Sequence, residues 1–250
     1  MTILDDGPRL RETIATACRV LALKGLVGGV LGHVSARVST DEIIIRCRGP
    51  QEQGLARTTA ADVWRVTLDG EHRDLPDGYN PPSELALHTE LLRQRPSFGA
   101  VVHAHPPSAL LCGLAGLRPR AVFGAYNIPA MRLALAGVPM FRRPVLIRRR
   151  ELALEMIDAM GESDVCLLQG HGITVAGENV EQATVKAVNL HLLLEVTLQL
   201  AQLGANPPEI EERDLADLPD LGSAFNDMFA WQAVVAELPA QSPAAPPKVS

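Results

Sequence analysis

Apolar residues recur along the chain with two spacings, which predict a mixture of helices and strands. Leu10, Ile14, Ala17 and Leu21 are three or four residues apart, as on the apolar face of an amphipathic helix. Short runs rich in valine and isoleucine between turn residues indicate strands instead. Helices are predicted over residues 9–25, 84–95, 107–117, 150–160 and 179–204. Strands are predicted over residues 34–38, 42–47, 64–68, 100–105, 138–141, 145–147, 164–169 and 173–176.

The order of these elements favours a single α/β or α+β domain built around a layered sheet. Strands and helices alternate irregularly, which argues against a regular βαβ array. No internal repeat or linker interrupts the pattern before residue 205. We expect a flexible N-terminus over residues 1–8, one domain over 9–204 and a C-terminal extension over 205–250. Residues 241–250 contain three prolines and are predicted to be disordered.

Composition and charge argue against several classes of protein. Hydrophobic residues make up 47% and charged residues 21% of the chain, which are ordinary values for a globular protein. The net charge of −6 argues against a partner made of nucleic acid. Residues 1–8 lack the apolar core of a signal peptide, and no apolar run approaches the ~20 residues of a membrane span. The four cysteines are far apart without a Cys-x-x-Cys pair, so we predict reduced thiols in a cytoplasmic protein with no membrane partner.

Two histidines at the end of a predicted strand provide the first candidate chemistry. Alternation along the strand turns His103 and His105 to the same face. Pro106 ends the strand because it has no N–H to donate. Neutral imidazoles are the commonest metal ligands, so the pair predicts part of a metal site.

Two further residues complete this candidate site. His171 lies between two glycines at the end of a predicted strand, and Glu84 begins the helix that precedes the His103 strand. Three imidazoles would leave coordination positions open for a substrate, with Glu84 as a displaceable ligand or a general base. The alternatives are a chance arrangement of packing histidines and a structural zinc site, which would need to be four-coordinate and closed.

Three motifs follow one another in an order that is more specific than any one of them. They are Pro82-Ser83-Glu84, His103-Ala104-His105-Pro106 and Gln169-Gly170-His171-Gly172. In order and spacing they resemble the class II aldolase/adducin family, from about residue 9 to residue 203. The resemblance implies an αβα layered fold around a mainly antiparallel sheet, and a cyclic homotetramer with sites near the subunit boundaries.

The same resemblance assigns roles to individual residues. It implies that His103, His105 and His171 are the metal ligands and that Glu84 is the acid/base. It also implies that Tyr126 acts at the site of the neighbouring subunit, and a packing tyrosine is the alternative.

The segments that would bind a sugar phosphate in that family depart from the expected pattern. Family members that act on sugar phosphates carry a Gly-Asn-x-Ser loop and a Ser-Ser-Glu turn, whereas this chain has His33 in the first and Pro82 in the second. Proline removes both a hydroxyl and an N–H that would bind phosphate. Arg46 and Arg48 replace a hydroxyl-bearing turn, and alternation predicts that they share a face. Such a pair suits a planar carboxylate, and a solvated pair is the alternative.

Some members of the family are decarboxylases of ortho-hydroxy aromatic acids, and the Arg-x-Arg-Gly-Pro turn at residues 46–50 resembles theirs more than that of the sugar-phosphate enzymes. The resemblance therefore implies a divalent-metal-dependent lyase (EC 4.1) that decarboxylates an ortho-hydroxy aromatic acid of the dihydroxyphthalate type, or a hydroxy or keto acid. Binding of the small-molecule carboxylate substrate is assigned to Arg46, Arg48, His33 and the predicted helix cap Ser83. Return of a proton to the substrate carbon is assigned to Glu84, Tyr126 or His33. Zinc is the first choice of metal, with manganese and cobalt as alternatives. Two other functions stay open: an aldolase or epimerase for a sugar phosphate or hydroxy-keto acid, and a non-catalytic adducin-like binding module.

Overall fold

A computed structural model describes residues 7–72 and 74–240 and contains a seven-stranded sheet. The strands are β1 (His33–Arg37), β2 (Glu42–Arg46), β3 (Val63–Thr67), β4 (Ala100–Ala104), β5 (Met140–Phe141), β6 (Val165–Leu168) and β7 (Gly172–Gly177). Their order in the sheet is β3-β2-β1-β4-β7-β6-β5. Neighbouring strands are antiparallel except β5 and β6, which are parallel.

Helices pack on both faces of this sheet. They are α1 (Pro8–Leu23), α2 (Leu85–Gln94), α3 (Pro107–Ala115), α4 (Ile128–Ala136), α5 (Arg150–Met160), α6 (Val180–Gln202) and α7 (Ala230–Ala236). One face packs against α1, α3 and α6 through residues such as Val34 and Val102. The other face packs against α2 and α5 through residues such as Ile45 and Val101. This αβα arrangement around a mainly antiparallel sheet confirms the predicted fold class.

The register between β1 and β4 places polar side chains on the face that α2 covers. His33 pairs with His103, and Ser35 pairs with Val101. Val34 and Val102 belong to the core on the α1 side. Because side chains alternate along a strand, His33, Ser35 and His103 project to the α2 side. The candidate metal site is therefore built on that face.

Three segments differ from the predicted elements, and one of them is α7, a helix in the predicted C-terminal extension that was not predicted. The helix α4 was not predicted, although its start carries a recognisable signal: the Asn127 side chain accepts a hydrogen bond from the amide of Ala130 at 2.9 Å. The strand predicted over residues 145–147 is wrong. Local hydrogen bonds from the amide of Val145 to Arg143 and from the amide of Arg148 to Leu146 fold that segment into turns.

The chain after α6 packs back onto the domain. Ile210, Leu215 and Leu218 contact an apolar cluster that includes Met131 and Leu193. The predicted disordered end (241–250) and the first six residues of the predicted flexible N-terminus lie outside the described residues. None of the helices that the structure describes has the length and apolar character needed to span a membrane.

Candidate metal centre

Glu84, His103, His105 and His171 come together at the C-terminal end of β4. Each offers one ligand atom, and these atoms lie within 4.8 Å of one another. His103 Nε2 is 2.7 Å from His105 Nε2 and 3.2 Å from Glu84 Oε2. His171 Nε2 is 3.4 Å from the same carboxylate oxygen. The structure therefore brings together the four residues that the sequence assigns to the metal.

Two strands hold the three histidines close to one another. His103 lies in β4, and His105 follows with its amide donating to the carbonyl oxygen of Leu26 at 3.0 Å. His171 lies in the turn between β6 and β7. Gly172 begins β7 so close to β4 that a Cβ atom there would be 2.2 Å from the carbonyl oxygen of Ala104. Glycine is needed for this approach, which brings His171 beside the other two histidines.

Backbone groups orient two of the four ligands. His103 Nδ1–H donates to the carbonyl oxygen of Ile173 at 3.0 Å, which leaves the lone pair on Nε2 for the cluster. The amide of Ile147 donates to Glu84 Oε1 at 2.8 Å, so Oε2 is the oxygen that faces the histidines. Sequence reasoning missed both contributions because they use main-chain atoms, which carry no residue-type signal.

The pKa shifts of Glu84 and His105 favour the forms that bind a metal. Burial raises the pKa of the Glu84 carboxyl, but its contacts with His103 and His171 outweigh this effect and hold the pKa well below its usual range. Burial and the neighbouring histidines lower the pKa of His105 to about 3. A charged carboxylate and neutral imidazoles are the forms that coordinate a divalent cation.

The unpaired ring nitrogens of His171 indicate whether these residues fit a metal. Neither of its ring nitrogens has a hydrogen-bond partner within the described part of the chain, although both are enclosed. Its contact with Glu84 lacks the direction of a hydrogen bond. Leaving a buried polar atom unpaired costs about 1–3 kcal/mol. A cation bound by three imidazoles and a carboxylate would satisfy Nε2, and this donor set suits a divalent transition metal.

Two other predicted site residues, His33 and Arg48, act on the cluster. The buried His33 ring stacks on His103 with centroids 4.9 Å apart, and burial lowers its pKa. Arg48 donates to the carbonyl oxygen of Val30 at 3.2 Å, and its charge helps to lower the pKa of His105.

Ser83 is exposed immediately before Glu84 in the chain. The prediction that Ser83 caps the helix is wrong, because α2 begins at Leu85 with Glu84 in the capping position and no side-chain cap. The Glu84 carboxylate instead accepts a hydrogen bond from the amide of Ile147 through Oε1. The exposure leaves the Ser83 hydroxyl accessible, and its assignment to the substrate stays a prediction.

Arg46 and Tyr126 have partners of their own. Arg46 is 3% exposed and its guanidinium is paired with Glu52. The strand β2 ends at Arg46, so the alternation expected to align it with Arg48 does not continue. Tyr126 is 75% exposed and meets Phe123 edge-on with ring centroids 5.9 Å apart. The roles of Arg46 and Tyr126 at the site stay predictions.

Comparison with known proteins agrees with this geometry. The family model described as Class II Aldolase and Adducin N-terminal domain matches residues 12–198. The chain is 50% identical over 233 residues to 3,4-dihydroxyphthalate decarboxylase from Arthrobacter keyseri, which covers 92% of this chain and 94% of that protein. It is 48% identical over 231 residues to the protein of the same name from Terrabacter sp. (strain DBF63), which covers 91% of this chain and 96% of that protein.

A solved structure supports the fold independently. The L-fuculose 1-phosphate aldolase from Glaciozyma antarctica PI12 matches with a TM-score of 0.74 and 17% sequence identity. The match covers 91% of this chain and 88% of that chain. At this identity the likeness shows the shared architecture.

Proposed function

This chain belongs to the class II aldolase and adducin family, and from that premise we propose that it is a divalent-metal-dependent decarboxylase of 3,4-dihydroxyphthalate or a similar ortho-hydroxy aromatic dicarboxylate. The observation that carries the proposal is a complete Glu84 and three-histidine cluster in a chain half identical to a 3,4-dihydroxyphthalate decarboxylase. Three relatives with 42–50% identity carry that name, so the aldolase and adducin-like alternatives are not needed.

The metal would be held by His103, His105 and His171, with Glu84 as a displaceable fourth ligand. Zinc is our first choice for these ligands, with manganese and cobalt as alternatives. When bound, a divalent cation supplies Lewis-acid stabilisation of negative charge on oxygen.

The protein residues would handle the carboxylate and the proton. Loss of CO2 from a ring carbon next to a hydroxyl-bearing carbon breaks one carbon–carbon bond and leaves its electron pair on the substrate. For the ortho oxygen to accept that pair, the ring carbon must first take up a proton; as CO2 then leaves, the pair from the broken bond passes through the ring to the oxygen, and the added proton stays on the carbon. We assign proton return to Glu84, Tyr126 or His33. We assign the second carboxylate to Arg48, because its charge acts on His105, and keep Arg46 and Ser83 as further candidates.

A substrate panel tests this proposal. The purified protein, supplied in turn with Zn²⁺, Mn²⁺ or Co²⁺, is given 3,4-dihydroxyphthalate or a ketose 1-phosphate, and CO2 and aldehyde are measured. We expect metal-dependent CO2 release from the aromatic acid and no aldehyde from the sugar phosphate. Cleavage of the sugar phosphate without CO2 from any aromatic acid would contradict the proposal.

A ligand substitution tests the assigned metal site. We expect His103→Ala to lose both the bound metal and CO2 release, because it removes the imidazole nearest to two other ligands. The matched control is His72→Ala, which removes an exposed histidine outside the cluster. Metal content of the dialysed proteins and CO2 release are measured together. Retention of full metal content by His103→Ala would show that the cation binds elsewhere.

A further inference from the structure

A buried chain of hydrogen bonds runs behind the metal cluster. Ser35 Oγ is 2.7 Å from His88 Nδ1, and His88 Nε2 is 2.7 Å from His33 Nδ1. Ser35 and His88 are fully buried and His33 is 4% exposed. Ser35 and His33 come from β1, whereas His88 lies on α2, one turn after Glu84.

The series of hydrogen bonds ends against His103, one of the proposed metal ligands. The ring of His33 is stacked on His103, with an interplanar angle of 28°. His33 Nδ1 is occupied by His88, and its Nε2 has no hydrogen bond to any described residue. The free nitrogen therefore belongs to a ring that lies directly beside the cluster where we propose that the substrate binds.

The direction of the hydrogen bonds determines what His33 can offer. Burial disfavours charged imidazoles, and a neutral imidazole has one N–H donor and one acceptor nitrogen, so both bonds must run in the same direction. Ser35 Oγ makes no other hydrogen bond within the described residues. If it accepted from His88, its own buried O–H would lack an acceptor, which is costly. The favoured order is therefore donation from Ser35 to His88 and from His88 to His33.

We propose that Ser35 and His88 are positioning residues that keep the proton of His33 on Nε2, so that His33 presents an N–H donor to a substrate oxygen at the metal cluster. The role of His33 toward a substrate oxygen rests on the proposed function. A fixed donor at that position would stabilise negative charge as it develops on the oxygen during loss of CO2. With the hydrogen bonds reversed, His33 would present a lone pair to the same oxygen.

Nitrogen NMR measures the tautomer without any substrate. Zinc-loaded protein labelled with ¹⁵N-histidine is compared with Ser35→Ala, because protonated and unprotonated ring nitrogens have distinct shifts. We expect His33 to be protonated on Nε2 in the parent and to lose this preference in Ser35→Ala. If Ser35→Ala does not fold, Ser35→Cys replaces it, since a thiol is a weaker donor. An unchanged His33 pattern in the variant would overturn the proposal, whether or not the protein decarboxylates anything.

A double variant separates positioning from simple packing. In His88→Gln, an amide N–H can donate to His33 in place of the imidazole, with no help from Ser35. We expect Ser35→Ala to lower kcat roughly tenfold with little change in KM, the effect of one hydrogen bond. Adding His88→Gln should restore the Nε2–H tautomer and bring kcat to within about threefold of the parent, a non-additive result expected only for coupled residues. Further loss in the double variant would indicate packing alone.

The matched control is Ser108→Ala. Ser108 Oγ is 2.9 Å from His191 Nδ1, and both residues are buried, but this pair contacts neither His33 nor His88. We expect Ser108→Ala to leave the His33 tautomer and kcat unchanged. If Ser108→Ala shifts the His33 pattern as much as Ser35→Ala does, the effect is not specific to the proposed chain.

Discussion

At the scale of single residues, two glycines set the spacing between β4 and β7. A Cβ atom at Gly172 would be 2.2 Å from the carbonyl oxygen of Ala104, and one at Gly99 would be 2.0 Å from the carbonyl oxygen of Glu178. These contacts lie at opposite ends of the paired strands. Because His103 is in β4 and His171 directly precedes β7, the first glycine controls the distance between two ligands, whereas the second controls the far end.

We therefore expect Gly172→Ala and Gly99→Ala to differ in their effect on the metal. Either methyl group must push the strands apart, which costs roughly 1–3 kcal/mol of stability. Only Gly172→Ala should also weaken metal binding, because the displacement occurs beside His171. Denaturant unfolding and metal titration measure the two effects separately. Gly28→Ala is the control, since nothing lies within 4 Å of its added Cβ. Equal metal affinity in all three variants would contradict this account.

The cysteines give a second prediction at this scale. Burial raises the pKa of Cys18, Cys47 and Cys166 to about 12 and that of Cys112 to about 11, from an ordinary value of 9.0. The thiolate is the reactive form, so none of the four should react with iodoacetamide in the folded protein at pH 8. Mass spectrometry should find labelling only after unfolding. Rapid labelling of any of them in the folded protein would contradict their burial.

The same shifts give a pH dependence of stability. The folded state keeps these thiols protonated, whereas the unfolded chain releases the protons above about pH 9. Their contribution to stability is therefore complete below pH 9 and is lost as the pH rises from there toward 12. Urea unfolding at pH 8 and pH 10 measures this loss, and Cys166→Ala should reduce it. A cysteine contribution that grows with pH would contradict the assignment.

At the scale of elements, local pattern predicted most of the layered fold but not the details of pairing. The helix predicted over 150–160 occurs as α5, and the strand predicted for His103 occurs as β4. The helix α4 was missed because it is short, and the cap signal at its start, Asn127, was not considered in the sequence prediction. The partner of Arg46 could not be predicted, because Glu52 reaches it through a loop rather than through strand alternation.

The cap of α4 can be tested with two substitutions at one position. The Asn127 side chain accepts from the amide of Ala130 and also donates to Asn189 at 3.1 Å. We expect Asn127→Ala to destabilise the protein by about 1 kcal/mol through loss of the cap. Asn127→Asp keeps the accepting oxygen and should lose less. Urea unfolding compares the two, and equal losses would mean that the contact with Asn189, not the cap, stabilises this helix.

At the scale of the whole molecule, exposed apolar groups lie close to the candidate site. Leu110, Leu111 and Leu114 are 40%, 44% and 64% exposed on α3, which begins two residues after His105. Contiguous exposed apolar groups mark interaction surfaces. Tyr126, one of the three residues predicted to return a proton to the substrate, is 75% exposed. Because the family resemblance implies a homotetramer with sites near the subunit boundaries, we propose that this surface forms a subunit boundary and that Tyr126 reaches a neighbouring site.

This proposal predicts complementation between two inactive variants. His103→Ala removes a metal ligand from its own subunit, whereas Tyr126→Phe removes the hydroxyl that we assign to the neighbouring site. If each site combines both groups from different subunits, co-expression should restore activity, because some sites receive an intact histidine and an intact tyrosine. Random assembly of a closed ring would give about a quarter of the parent activity. Light scattering of the parent should show four subunits. If both groups act within one chain, mixed assemblies contain no intact site and co-expression restores nothing.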